Sequence, residues 1–70
     1  MKRLDLMRAI ERRALMMSIE VTKREGGRHT LITVGSSRTQ IPRHREIADR
    51  TLESIMKDLE PELGKRWLKK

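Results

Sequence analysis

The residues best suited to chemistry lie together at positions 24–32, where a glycine pair is followed closely by a histidine. Gly26 and Gly27 can adopt positive φ and let the backbone approach another surface closely. His29 has the one side-chain type that ordinarily exchanges a proton near neutral pH. We therefore expect a turn that presents a group able to act as a general acid or base.

Positive charge is the strongest feature of the composition. Seventeen lysines and arginines outweigh ten acidic residues in 70, which gives a net charge of +7. Such a field favours a phosphate polymer as partner, although a solubility charge, attraction to anionic lipid or an acidic protein partner also accounts for it. Trp67 is the only aromatic residue, which argues against a base-stacking platform. The candidate RNA-binding residues are Lys23, Arg24, Gly26, Gly27, Arg28, Arg38, Arg43 and Arg45.

Several kinds of site are disfavoured by the residues available. The chain has no cysteine, and His29 and His44 lack the spacing of metal ligands. A nucleotide-binding glycine motif and a Ser/His/Asp arrangement are also missing. We therefore expect neither a metal nor a cofactor. His44 lies in a polar Arg-His-Arg run, and we interpret it as solvated or phosphate-contacting rather than as a second catalytic group.

The chain length predicts one small domain, with a core over about residues 2–59 and a basic extension over 60–70. Acidic and basic residues interrupt the apolar run near the N-terminus, so we expect no export signal. No apolar stretch is long enough to span a membrane. Together with the lack of cysteine, these features favour a cytoplasmic location.

Two helices are predicted from apolar residues that recur three and four positions apart. The first covers 3–14 and the second about 49–59. We expect Pro61 to end the second helix or to open a short further turn, and Trp67 to pack on the sheet edge or on a helix. The apolar stripes are Leu6, Met7, Ile10 and Ala14 in the first helix and Leu52, Ile55, Met56 and Leu59 in the second.

Three strands are predicted between the helices. Residues 17–23 alternate between apolar and polar types, 29–34 are rich in β-branched residues, and 38–41 end at Pro42, which cannot donate to a ladder. The order is therefore α-β-β-β-α, an α+β fold in which a three-stranded antiparallel sheet carries two helices on one face.

Strand alternation also predicts which face of the sheet each residue occupies. Ile32 and Val34 are the natural core pair of the second strand, so His29, Leu31 and Thr33 point to the opposite, uncovered face. The candidate acid or base is therefore expected on the open side of the sheet, at the mouth of the glycine turn.

Three segments of the chain resemble the HicA-type mRNA interferase toxins. Gly26-Gly27-Arg28-His29 resembles that family's Gly-Ser-His motif, with Arg28 where the family has serine. Ile-Pro-Arg-His at 41–44 and Thr-Leu-Glu-Ser-Ile-Met-Lys at 51–57 resemble the family's Val-Pro segment and its second-helix pattern. The similarity covers roughly residues 2–59 and preserves the order of the segments.

The resemblance implies a double-stranded-RNA-binding-domain-like fold and the activity of a ribonuclease that blocks translation by cutting mRNA. It implies a toxin of a type II toxin-antitoxin system, neutralised by a HicB-type antitoxin. By match to the motif, His29 takes the catalytic position.

Two function classes stay open at this stage. The first is a metal-independent endoribonuclease with His29 as general acid or base. The second is a basic RNA-binding module that does not cleave, in which His29 is a surface histidine without a catalytic role. A DNA-binding regulator is a weaker third reading, because a sheet separates the two helices and leaves no helix-turn-helix spacing.

Overall fold

The protein is described here by a computed structural model that covers residues 1–68. In chain order its elements are α1 (Arg3–Met16), β1 (Val21–Glu25), β2 (His29–Val34), β3 (Ser37–Pro42) and α2 (Asp49–Leu63). β2 is the central strand of a three-stranded antiparallel sheet, with β1 and β3 at the edges. The predicted α+β fold and its α-β-β-β-α order are confirmed. Lys69 and Lys70, at the end of the predicted basic extension, lie outside the described residues.

A Schellman motif ends α1. The amide of Ile19 donates to the Ala14 carbonyl (2.9 Å), and the amide of Ser18 donates to the Leu15 carbonyl (3.1 Å). This pattern satisfies carbonyls at the end of a helix and places one residue in the left-handed region. That residue is Ser18, with φ 58°.

The helix end corrects the predicted start of the first strand. Residues 17 and 18 terminate α1 instead of extending a strand, and β1 runs from Val21 to Glu25 rather than over 17–23. The alternation of apolar and polar residues over 17–22 was therefore misleading at its start, where the capping bonds of the helix fix the backbone. β2 has the predicted bounds, and β3 extends one residue beyond the prediction at each end.

α2 begins where predicted but runs four residues further, with Pro61 inside it. Proline removes the amide that would bond the carbonyl four residues back, here that of Lys57. Burial compensates for this loss, because Leu59 and Leu63 are fully buried. In addition, Arg13 Nε donates to the Leu63 carbonyl (2.9 Å). The prediction that the helix ends at 59 is wrong for this reason.

One face of the sheet and both helices enclose the core. Each helix contributes its predicted stripe, although Met7 and Met56 are only partly buried. Trp67 packs on α2, where its Nε1 donates to the Met56 carbonyl (2.8 Å). The core therefore includes part of the predicted extension beyond 59. The buried apolar residues are Leu6, Ile10, Ala14, Ile32, Val34, Ile41, Ile47, Leu52, Ile55, Leu59, Leu63, Trp67 and Leu68.

The N-terminus is tied to the segment that joins β3 to α2. The amide of Arg3 donates to the Arg45 carbonyl, and the amide of Ile47 donates to the Met1 carbonyl, both at 2.8 Å. The start of α1 therefore lies beside residues 45–47, at the same end of the sheet as the β1–β2 turn. In the part of the chain described, neither helix has the length and hydropathy needed to cross a bilayer.

Candidate nucleic-acid interface

The sheet has one covered and one open face, and strand pairing fixes which residues lie on each. His29 pairs with Pro42, Leu31 lies between Arg24 and Gln40, and Thr33 lies between Thr22 and Arg38. Residues paired across a sheet share a face, and these alternate with buried Thr30, Ile32 and Val34. We call this uncovered surface the open face; its residues are Thr22, Arg24, His29, Leu31, Thr33, Arg38, Gln40 and Pro42.

His29 is exposed on the open face, as strand alternation predicted. It is the first residue of β2, and its carbonyl accepts from the Gly26 amide (2.9 Å). Within residues 1–68, no side chain or backbone group is hydrogen-bonded to its imidazole. The backbone of His29 is therefore anchored while both ring nitrogens are available to a ligand.

The turn beside His29 differs in one respect from the expectation. Neither Gly26 nor Gly27 has positive φ; among the described glycines that conformation occurs at Gly35 and Gly64. Gly26 is closely packed within the turn itself, where a Cβ atom would lie 3.0 Å from the His29 carbonyl oxygen. The space around Gly27 is open to 4 Å, so this position is not restricted to glycine by packing.

The charge on the open face is positive. Arg24 and Arg38 are exposed there, and none of the eight residues named for the open face is acidic. Arg38 and Arg24 border a shallow groove over Leu31 and Thr33. His29 does not line this groove. It stands on the same face at the end towards the turn, two residues along β2 from Leu31, or roughly 7 Å.

α2, on the opposite side of the sheet, is acidic. α2 contains five of the ten acidic residues of the chain but only two of its seventeen lysines and arginines. It packs against the covered face of the sheet, most closely on β3. A polyanion is therefore disfavoured at α2, whereas α1, which covers the same side of the sheet, has four arginines and two carboxylates.

Lys23, one of the predicted RNA-binding residues, lies on the helical side. Lys23 points to the same side of the sheet as Val21, two residues before it, and Ile32, its partner on β2. Its Nζ forms an ion pair with Glu11 Oε2 at 2.7 Å. Part of Lys23 borders the groove on the open face, but its charge is directed to α1. The alternation of β1 already contained this information, since Lys23 and Val21 are two residues apart.

Arg43 and Arg45 form part of a second basic surface at the end of the sheet. They line a depression with Lys2, Arg3 and the exposed Leu4. Arg43 Nη2 is bound to Glu25 Oε1 (2.6 Å) and to the Gly26 carbonyl (2.8 Å). Arg45 and Lys2 have no carboxylate partner among the described side chains. Of the predicted RNA-binding residues, Arg24 and Arg38 thus lie on the open face, Arg43 and Arg45 on this second surface, and Lys23 on the helical side.

Arg28 and His44 are exposed at the same end. The Arg28 carbonyl accepts from the Arg43 amide (3.2 Å), which fixes the backbone on the N-terminal side of His29. His44 follows β3 and does not lie on the open face. In the part of the chain that the structure describes, no group of three or more His, Cys, Asp or Glu residues is placed to hold a metal ion.

Sequence reasoning missed Lys2 and Arg3 as residues near the turn. Their proximity depends on the pairing of the N-terminus with residues 45–47, which joins positions more than forty residues apart. No local pattern reports such a contact. The only signal was the unexplained positive charge at positions 2 and 3.

Comparisons of the chain with protein-family models, with curated proteins and with solved structures found no match. The similarity to HicA-type toxins therefore rests on the motif residues and on the order of the elements.

Proposed function

We propose that this protein is a metal-independent endoribonuclease that cleaves mRNA, with His29 as its general acid or base. The observation that carries the proposal is the position of His29 on an open sheet face that bears arginines and no carboxylate. The net charge and the resemblance to HicA-type toxins, in which this position is catalytic, support the same function. The proposal places the protein in the cytoplasm, where mRNA is translated.

The chemistry requires only groups that RNA and one histidine can supply. A neutral imidazole takes the proton of a ribose 2′-OH, and the resulting oxygen attacks the adjacent phosphorus. The bond to the 5′-oxygen breaks, and that oxygen leaves with a proton. The products are a 2′,3′-cyclic phosphate and a 5′-hydroxyl. With no carboxylate on the open face, solvent supplies the second proton-transfer partner.

Arginines stabilise the charge that develops on the phosphate. Arg28 directly precedes His29, and Arg24 lies on the open face beside Leu31. Removing one such donor typically lowers a rate on the order of 10²-fold. Arg28 replaces the serine of the family motif, and we assign it to phosphate binding.

The proposal includes a protein partner. The resemblance favours a HicB-type antitoxin that neutralises the activity. Co-expression of the chain with the product of an adjacent small reading frame tests this part: we expect the two to purify together and the pair to be harmless. Persistent toxicity of the co-expressed pair would contradict it.

A non-catalytic RNA-binding module is the second candidate function. One observation favours it: the open face offers no second acid or base beside His29. In such a module, binding falls steeply with salt, RNA is recovered intact, and charge reversal at Arg38 weakens binding more than His29→Ala does.

Induced expression in a bacterial host separates the two functions. For the enzyme, we expect native protein to stop growth and fragment mRNA, and His29→Ala at equal abundance to do neither. His44→Ala is the matched control, because it removes an exposed histidine from the same end of the molecule, and it should remain toxic. Intact mRNA in growth-arrested cells, or full toxicity of His29→Ala, would sink the enzymatic proposal.

A further inference from the structure

We propose that Thr30 and Arg3 are positioning residues for His29, acting through a hydrogen-bonded chain on the covered side of the sheet. Thr30 follows His29 directly and points to the opposite face. The catalytic consequence of this inference rests on the proposed function. The structural consequence, a fixed backbone at His29, does not.

The series of hydrogen bonds begins inside the molecule, at Thr30. Thr30 is fully buried, and its Oγ1 both accepts from Arg3 Nη2 and donates to Glu25 Oε1 (2.8 Å). Arg3 Nε also donates to the Pro42 carbonyl (3.1 Å). The Thr30 hydroxyl therefore joins the start of α1 to β1, and the Arg3 side chain joins both to β3 at Pro42, the residue that pairs with His29.

The series of hydrogen bonds continues from Glu25 to the β1–β2 turn. Glu25 Oε1 accepts from Arg43 Nη2 (2.6 Å), and the same guanidinium nitrogen donates to the Gly26 carbonyl (2.8 Å). The Gly26 amide donates in turn to the His29 carbonyl (2.9 Å). Side-chain contacts thus link Thr30 through Glu25 and Arg43 to the peptide groups on either side of the turn.

These contacts explain why a buried threonine occupies a position at which an apolar residue would fit the core. A buried hydroxyl is tolerated when its partners are satisfied, and networks of this kind hold one arrangement of the groups that they join. Loss of the hydroxyl leaves Arg3 and Glu25 without their shared partner. The turn then keeps its contacts with Arg43 but loses the fixed position of Glu25, and we expect a small shift of the turn that displaces His29.

The chain offers a matched control at Thr39. This residue is also buried on the covered face (4% exposed), and its Oγ1 donates to a carboxylate, Asp58 Oδ2, at 2.8 Å. It lies on β3 opposite Ile32, away from the turn. Thr30→Val and Thr39→Val remove the same chemical group from the same side of the sheet, and Thr30→Ser retains the hydroxyl.

The first test needs no RNA. In Thr30→Val we expect faster hydrogen exchange of the Gly26 amide, by about tenfold or more, and shifted ring-proton resonances of His29 in NMR spectra. Thr39→Val should leave both signals as in the native protein, and Thr30→Ser should restore them. Equal responses of the two valine variants, or no response in Thr30→Val, would overturn the positioning role.

The second test uses RNA cleavage. We expect Thr30→Val to lower kcat by about tenfold or more, since small misplacements of a catalytic group have large effects on rate. KM should change little, because the exposed arginines remain. A KM effect with unchanged kcat would contradict positioning. If native protein does not cleave RNA, the proposed function fails, and the exchange and NMR measurements still decide whether Thr30 fixes the turn.

Discussion

Ser18 shows at the scale of one residue how backbone conformation constrains the choice of side chain. It occupies the left-handed position of the Schellman motif that ends α1, with φ 58°. For a residue with a Cβ atom this conformation costs roughly 1 kcal/mol, and glycine avoids most of that cost.

We expect Ser18→Gly to stabilise the protein by about 0.5–1 kcal/mol, the gain being reduced by the greater freedom of glycine in the unfolded chain. Urea unfolding followed by circular dichroism measures the change. Ser54→Gly is the matched control: Ser54 is exposed inside α2, where the same substitution should destabilise by about 0.5 kcal/mol. Destabilisation by Ser18→Gly would contradict the assigned cap.

The candidate site was partly predictable residue by residue. Alternation along β2 predicted that His29 is exposed, because Ile32 and Val34 had to face the core. The alternation of apolar and polar residues does not predict ion pairs. Sequence patterns therefore could not show that Glu25 forms an ion pair with Arg43. That contact arises where the β1–β2 turn meets the segment after β3, and it depends on the complete fold.

At the scale of elements, β1 presents neighbouring cations to opposite faces of the sheet. Arg24 lies on the open face, whereas Lys23 pairs with Glu11 of α1. Loss of one phosphate contact with single-stranded RNA lowers the slope of log affinity against log salt by about 0.7. We expect this change for Arg24→Ala and a smaller one for Lys23→Ala. Filter binding at several salt concentrations measures both, and a larger effect of Lys23→Ala would contradict the assignment of faces.

Trp67 and Leu68, which follow α2, form part of the core. Trp67 is 8% exposed and bound to the Met56 carbonyl. We expect Trp67→Ala to lower the free energy of unfolding by roughly 3–5 kcal/mol, as for other large-to-small changes in a core. Leu15→Ala, at a side chain that is 80% exposed, should change it by less than about 0.5 kcal/mol. Chemical denaturation followed by circular dichroism measures both, and similar effects would refute the packing.

Element types were predicted better than element ends. Apolar spacing predicted both helices, and β-branched content predicted β2 with its bounds. The errors have local physical causes. Ser18 stands where a glycine would have signalled the end of α1. Pro61 was expected to end α2 or to open a short further turn, whereas α2 continues through it to the buried Leu63. These are positions at which packing outweighs the local preference of the residue.

At the scale of the whole molecule, the sheet has one face covered by other elements and one face exposed to solvent. Both helices cover one face of the sheet, Trp67 and Leu68 complete the core on that side, and α2 has an excess of acidic residues. The other face keeps His29 and two arginines exposed, with a second basic surface at the adjoining end. The net charge of +7 attracts a phosphate polymer, and the acidic surface of α2 is the part of the molecule least suited to bind it.

The measurement that tests the central claim most directly is the single-turnover cleavage rate of RNA by purified protein in the presence of EDTA. We expect native protein and His44→Ala to cleave at similar rates, and His29→Ala to cleave at least about 100-fold more slowly, as for loss of a general acid or base. RNA affinity, measured in parallel, should be similar in all three. Cleavage by His29→Ala at the native rate, or no cleavage by native protein in EDTA, would contradict the claim that His29 cuts RNA without a metal.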